Sequence, residues 1–232
     1  MQVSELFRRL SYGELSNLAL SGEGSGEIVE AKRPQILQHA NDALLRLHSR
    51  FFLREGNLLL QQCAGIRHYH LKPENALTTG TETRTHRLFI LDSEHMPFRD
   101  DVIKIVTVRN HLGHEVTLND PDGECSMFTP QPQVLQILRP AEGLLVGVDY
   151  QARHPVLAGL DDEIDLPETL EKALTAYIGY LTYSAMNTDT STAKAQEHLS
   201  VYEAVCAEVT GMDLVSSSRS STNTRFAKGG WI

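Results

Sequence analysis

Ten histidines are the first candidates for chemistry in this 232-residue chain. His68 and His70 are one residue apart, which on a strand puts both imidazoles on the same face. His111, His114 and Glu115 crowd a short turn-like segment. Zinc needs three or four converging ligands, each oriented by an outer partner. Neither cluster supplies them locally and no HExxH occurs. Surface histidines on strands and turns are the expectation, with no metal and no cofactor. Asp161, Asp162, Glu163 and Asp165 form an acidic run directly before a helical pattern, where capping and the helix dipole account for them. Asp100 and Asp101 read as a turn leading into a strand.

Nucleophilic catalysis has no recognisable platform. GxSxG is missing. Cys63, Cys125 and Cys206 are odd in number, far apart and without a CxxC, which suits reduced thiols acting as small apolar side chains. GEGSG at residues 22–26 lacks the Lys and Ser/Thr of a phosphate loop, and no strand leads into it, so it reads as a connector. The net charge of −9 disfavours a broad basic face for gripping nucleic acid. An acidic wall does suit a channel along which DNA slides without sticking. The expectation is a protein that is not an enzyme.

The C-terminal residues 212–232 differ from the remainder. They are rich in Ser and Thr and show no periodicity. From residue 215 onward they carry Arg219, Arg225 and Lys228 and no acid. Phe226, Trp231 and Ile232 add apolar anchors of the type enriched at interface hot spots. A tail of this composition reads as an extended arm that orders on a partner, with Arg219, Arg225, Phe226, Lys228, Trp231 and Ile232 as its docking residues.

These features need a scaffold, and the apolar spacing predicts one. Val3, Leu6, Phe7 and Leu10 fit two helical turns. Residues 33–52 repeat apolar side chains every three or four positions, with Pro34 in the first turn and Gly56 placed to end the element as a left-handed cap. His48 falls outside that stripe. Between residues 57 and 153 the pattern changes to short alternating runs: 57–63, 66–71, 87–91, 102–108, 115–118, 125–128, 134–138 and 144–151. The β-branched run from Val102 to Val108 is the densest. Residues 119–124 make a turn in which Gly123 supplies a positive φ. The spacing argues an antiparallel meander. Helical periodicity returns from about 166 to 186 and from 191 to 210, and the short break between predicts an antiparallel hairpin. The fold class is therefore α+β. A helical core is formed by residues 1–56 and the hairpin 157–211. A β-rich domain, 57–156, is inserted, and an extended arm, 212–232, follows. No apolar run approaches the roughly 18–20 residues that span a bilayer. The first residues lack the apolar centre of a signal peptide, so the chain is expected to stay where it is made.

The order of elements resembles the head-to-tail adaptor (connector) proteins of tailed bacteriophages, the short-tailed type above all. The resemblance is carried by PQILQHANDALLRLHSRFFLRE (34–55) and LPETLEKALTAYIGYLTYSAMNTDTSTAKAQEHLSVYEAV (166–205). Within the second segment, Tyr177 to Ser184 is similar to a YxAYxxYS-like helix of that family, and His198 to Tyr202 to its HxxxY-like helix. The resemblance implies a virion structural protein at the head–tail junction, made in the host cytoplasm. It implies a homo-oligomeric ring, usually of twelve copies, beneath the portal protein. C-terminal arms dock on the portal and other tail components, a nozzle or tail tube, attach below. Genomic DNA passes through the lumen without specific binding, and no membrane is involved. Two other classes stand beside this one: a metal-dependent enzyme using the histidine-rich β-region, and a phage-encoded soluble regulatory binding module. The long β-region departs from the smallest adaptors.

Overall fold

The computed structural model describes residues 1–16, 28–83, 86–123 and 126–215. Its elements run α1 (Val3–Tyr12), α2 (Arg33–Arg50), β1 (Glu55–Gln61), β2 (His68–His70), β3 (Ile90–Leu91), β4 (Val102–Arg109), β5 (Glu115–Val116), β6 (Phe128–Gln131), β7 (Val134–Gln136), β8 (Leu145–Ala152), α3 (Glu168–Ser184) and α4 (Asp189–Gly211). The class is α+β. Contacts divide the described chain into two units: Met1–Leu53 together with the residues from His154 onward, and Arg54–Arg153.

The first unit is helical because its apolar residues recur at helical spacing and bury one face of each helix. Val3, Leu6, Phe7 and Leu10 of α1 pack with Ile36, Ala40, Ala43, Leu44 and Leu47 of α2. Leu170, Ala173, Leu174 and Ile178 of α3 and Ala195, Tyr202, Cys206 and Val209 of α4 complete the core. Alanines alternate with large side chains, which lets ridges settle into grooves. His48 departs from the expected polar face. It is 1% exposed and its ring meets that of His154 edge-on, centroids 5.6 Å apart. His154 is held by both nitrogens, Nδ1 against Pro155 C=O at 2.7 Å and Nε2 accepting from Asp165 N–H at 3.0 Å.

The acidic run does not cap α3. Pro167 occupies the cap position and offers no side-chain bond. Instead Asp162 folds its own loop, its carboxylate accepting from Ala158 N–H (2.6 Å) and Gly159 N–H (2.8 Å), bonds that hold its pKa below the usual carboxylate range. The loop backbone also pairs with the first residues of the chain. Val3 N–H donates to Asp162 C=O and Ser4 N–H to Leu160 C=O, each at 3.0 Å. Glu168 and Glu171 are the acids that sit in the first turn of α3, where the dipole favours them.

The second unit holds two antiparallel sheets, ordered β3-β1-β8-β4-β5 and β2-β7-β6. This is not the order of a meander. The first and last strands of the unit, β1 and β8, lie side by side from Glu55↔Gln151 to Gln61↔Leu145. Strands that enter and leave through the same neck can pair directly, and an order that runs consecutively outward cannot bring them together. Leu60, Tyr69, Phe89, Ile90, Val108, Leu135, Val146 and Val148 fill the core.

Two glycine expectations are corrected. Helix α2 ends at Arg50 with Phe51 already extended (φ −115°), and Gly56 lies inside β1. Its lack of a side chain is needed because a Cβ there would strike the ring of Tyr150, its partner across the ladder. In the turn after β5 the positive φ belongs to Asn119 (58°) rather than Gly123, where a Cβ would collide with Ser126 Oγ.

Candidate functional site

The residues that carry the phage resemblance form the seam between α3 and α4. Tyr177 tilts against Tyr202 (4.8 Å between centroids) and Tyr180 (5.4 Å). Tyr183 stacks on His198 at 5.3 Å and 20°. Gly179 makes room for that imidazole: a Cβ would lie 3.1 Å from the His198 ring. Burial lowers the His198 pKa, which favours the neutral ring in this stack. Arg50 of α2 lies over the Tyr202 ring at 5.7 Å and pairs with Glu203 at 2.6 Å. Thr188 caps α4 in a box with Ser191, whose N–H it accepts at 3.2 Å, and Asn187 takes the left-handed turn before it (φ 50°). The aromatic side chains of the two motifs, Tyr177, Tyr180, Tyr183, His198 and Tyr202, are thus engaged in packing along the seam.

The predicted docking residues Arg219, Arg225, Phe226, Lys228, Trp231 and Ile232 lie outside the described residues, as do residues 22–26 and Cys125. His68 and His70 are exposed on β2 with Tyr69 buried between them. His111 and His114 lie in the β4–β5 turn. There Asn110 accepts from Leu112 N–H and His114 N–H at 3.0 Å each, and Gly113 has φ 79°. The two histidine clusters thus sit in different sheets. Among the described residues no three His, Cys, Asp or Glu side chains converge as metal ligands. Burial pushes the Cys63 and Cys206 thiols up, away from the thiolate form that makes a nucleophile. No described helix is long and apolar enough to cross a membrane.

Sequence reasoning missed a cleft of about 790 Å³ within the second unit. Its floor is set by β1, β8 and β4, and its walls by the 92–99 loop and the 109–113 turn. Asp101 is buried there and accepts from Tyr150 Oη–H at 2.8 Å. Burial, reinforced by the Asp101 charge, raises the Tyr150 pKa and keeps the phenol protonated. Arg109 pairs with Asp149 on the floor. Arg54, Arg99, His95 and His111 stand around them, with Leu59 and Met96 as exposed apolar surface. The mixture suits recognition of a partly charged, partly apolar ligand. Asp101 and Tyr150 are 49 residues apart in sequence, so no local motif announces their pairing.

The sequence matches no protein-family model and no curated protein.

Proposed function

We propose that this chain is a structural subunit of the virion, a head-to-tail adaptor that assembles as a ring between portal and tail. The observation that carries the reading is the α3–α4 hairpin. Its Tyr- and His-bearing motif, the one similar to adaptors, is a packing seam in the core of the first unit. An acidic body favours the same reading, because a lumen lined with negative charge lets DNA pass without adhering. On this proposal the helical unit builds the ring body, twelve copies around the DNA path. The basic arm, with Arg219, Arg225, Phe226, Lys228, Trp231 and Ile232, docks on the portal.

Assembly with portal rings is the direct test. Mass determination on a mixture of this chain with its portal protein should give a complex carrying a full ring of copies. A chain that remains monomeric and unattached in that mixture overturns the reading. Deleting residues 215–232 should leave the circular dichroism spectrum unchanged and abolish attachment. Trp231→Ala should weaken attachment by about 2 kcal/mol or more, the cost of losing an aromatic anchor, whereas Ser→Ala changes nearby should cost little.

A further inference from the structure

The five-stranded sheet is incomplete along one edge. Strand β3 pairs with β1 only at Leu59↔Leu91 and Leu60↔Ile90, whereas β1 continues back to Glu55 with β8 along its other side. The alternation of the ladder determines which backbone groups are left over. Gln62 N–H donates to Leu144 C=O at 2.8 Å and Ala152 N–H to Arg54 C=O at 2.9 Å, so the even-numbered residues of β1 bond toward β8. Gln61 N–H points the other way and donates to Phe89 C=O at 2.8 Å. Glu55 and Asn57 follow Gln61 in that alternation. Their N–H and C=O groups face outward beyond the end of β3 and have no partner among the described residues. Both residues are exposed.

Chain geometry holds this edge open. After Leu91 the Asp92 carboxylate accepts from Thr78 N–H (2.9 Å) and Phe98 N–H (3.0 Å) and from the Thr78 hydroxyl. Ser93 and Met96 exchange backbone bonds of 3.0 and 3.3 Å, turning the chain away before it can continue beside β1. The cleft borders the place so vacated and extends from it across β1 and β8. Asn57 and Leu58 point to opposite faces of the sheet, yet both line it, as a cavity that wraps around a strand edge requires. Edges of this kind are normally shortened, charged or covered, because they template the addition of another strand.

The charges and apolar surface around the edge select what is added. Of the four acids lining the cleft, Asp92 is bound in its loop, Asp101 to Tyr150 and Asp149 to Arg109, which leaves Glu55. Arg54 and Arg99 line the same cleft and form no salt bridge among the described residues. Leu59 is 38% and Met96 70% exposed beside them. We propose that the open edge of β1 takes an added strand from a partner protein: an extended segment with a carboxylate set among apolar residues. Its backbone pairs with Glu55 and Asn57, its acid meets Arg54 and Arg99, and its apolar side chains rest on Leu59 and Met96. The chain's own basic C-terminal residues carry the wrong sign for this site. The proposal stands independently of the head-to-tail reading.

A short fluorescent peptide of alternating Val and Glu, titrated into the full chain and followed by anisotropy, tests it. Two comparison peptides replace Glu by Lys or methylate the pairing backbone nitrogens, and a third is residues 216–232 of this chain. The Glu peptide should bind. Asn57→Pro removes an outward N–H and no bond to β8, and Pro is tolerated at a strand edge. That variant, and separately R54E with R99E, should weaken binding by on the order of tenfold, the equivalent of one net hydrogen bond, with the melting temperature unchanged. No binding of the Glu peptide, equal or tighter binding of the Lys peptide or of residues 216–232, or indifference to Asn57→Pro overturns the proposal. Should Asn57→Pro fail to fold, the methylated peptide decides: binding that survives methylation rejects edge pairing.

Discussion

At the scale of single residues, Tyr150 and Gly56 show how much depends on one contact. The Tyr150 ring occupies the space a side chain at position 56 would need, and its hydroxyl satisfies the buried Asp101 carboxylate. Gly56→Ala should therefore cost about 1–3 kcal/mol through overpacking, read as a lower denaturation midpoint with an unchanged slope. Burial also raises the pKa of Tyr69, Tyr183 and Tyr202. All four phenols stay neutral in the folded chain beyond the pH at which an unfolded phenol ionises, so unfolding releases protons there. Their contribution is complete below about pH 10, the ordinary tyrosine value, and declines as pH rises above it. Stability measured against pH should fall on that alkaline side. Tyr150→Phe should flatten the fall while lowering stability at neutral pH by about 1–3 kcal/mol, because Asp101 loses its donor. None of this was legible in sequence: Asp101 and Tyr150 meet only because β8 returns to lie beside β1 and β4.

Elements were far more legible than contacts. Apolar spacing located the four α-helices and eight strands found among the described residues to within a few residues, since periodicity of 3.6 or 2 is imposed by burial of one face. Errors arose where tertiary pairing overrode local signals. Gly56 resembles a helix cap locally, but β1 needs it against Tyr150. The acids at 161–165 resemble a helix cap, but Asp162 serves its own loop. His48 resembles a surface residue, but the His154 ring faces it. The seam of α3 and α4 was half visible: the sequence shows its Tyr and His residues, while which rings meet depends on how the two helices pack. One unpredicted device, the Thr188–Ser191 capping box, gives a clean test. Thr188→Ala leaves the Ser191 N–H of α4 without its acceptor and should cost about 1 kcal/mol, within the range for N-cap removal. Circular dichroism melting of the variant checks it, and Thr188→Asp should restore most of the loss.

For the whole molecule, the pairing of β1 with β8 has a consequence for how the chain is partitioned. Glu55 opposes Gln151, and Ala152 N–H bonds Arg54 C=O at 2.9 Å, so the two ends of the inserted unit are neighbours. Paired residues of an antiparallel ladder lie about 4.5–5.5 Å apart at Cα. A linker of a few glycines and serines can therefore replace the insertion without stretching the helical unit at its junction. Each unit has its own core, Leu60, Tyr69, Val146 and Val148 in one and Leu6, Leu44, Leu174 and Tyr202 in the other. Residues 54–153 expressed alone should give a β-type circular dichroism spectrum and a single cooperative melt. The chain with those residues replaced by the linker should keep its helical spectrum. A β-segment that melts without cooperativity would show that it does not fold on its own. If both pieces fold, the proposed adaptor role expects any attachment to portal to remain with the helical piece when it carries residues 215–232, and the proposed strand capture expects binding of the acidic peptide to remain with the β piece. That outcome assigns assembly to one unit and strand capture to the other, because the determinants of the second, Arg54, Glu55, Asn57 and Arg99, all lie between residues 54 and 153.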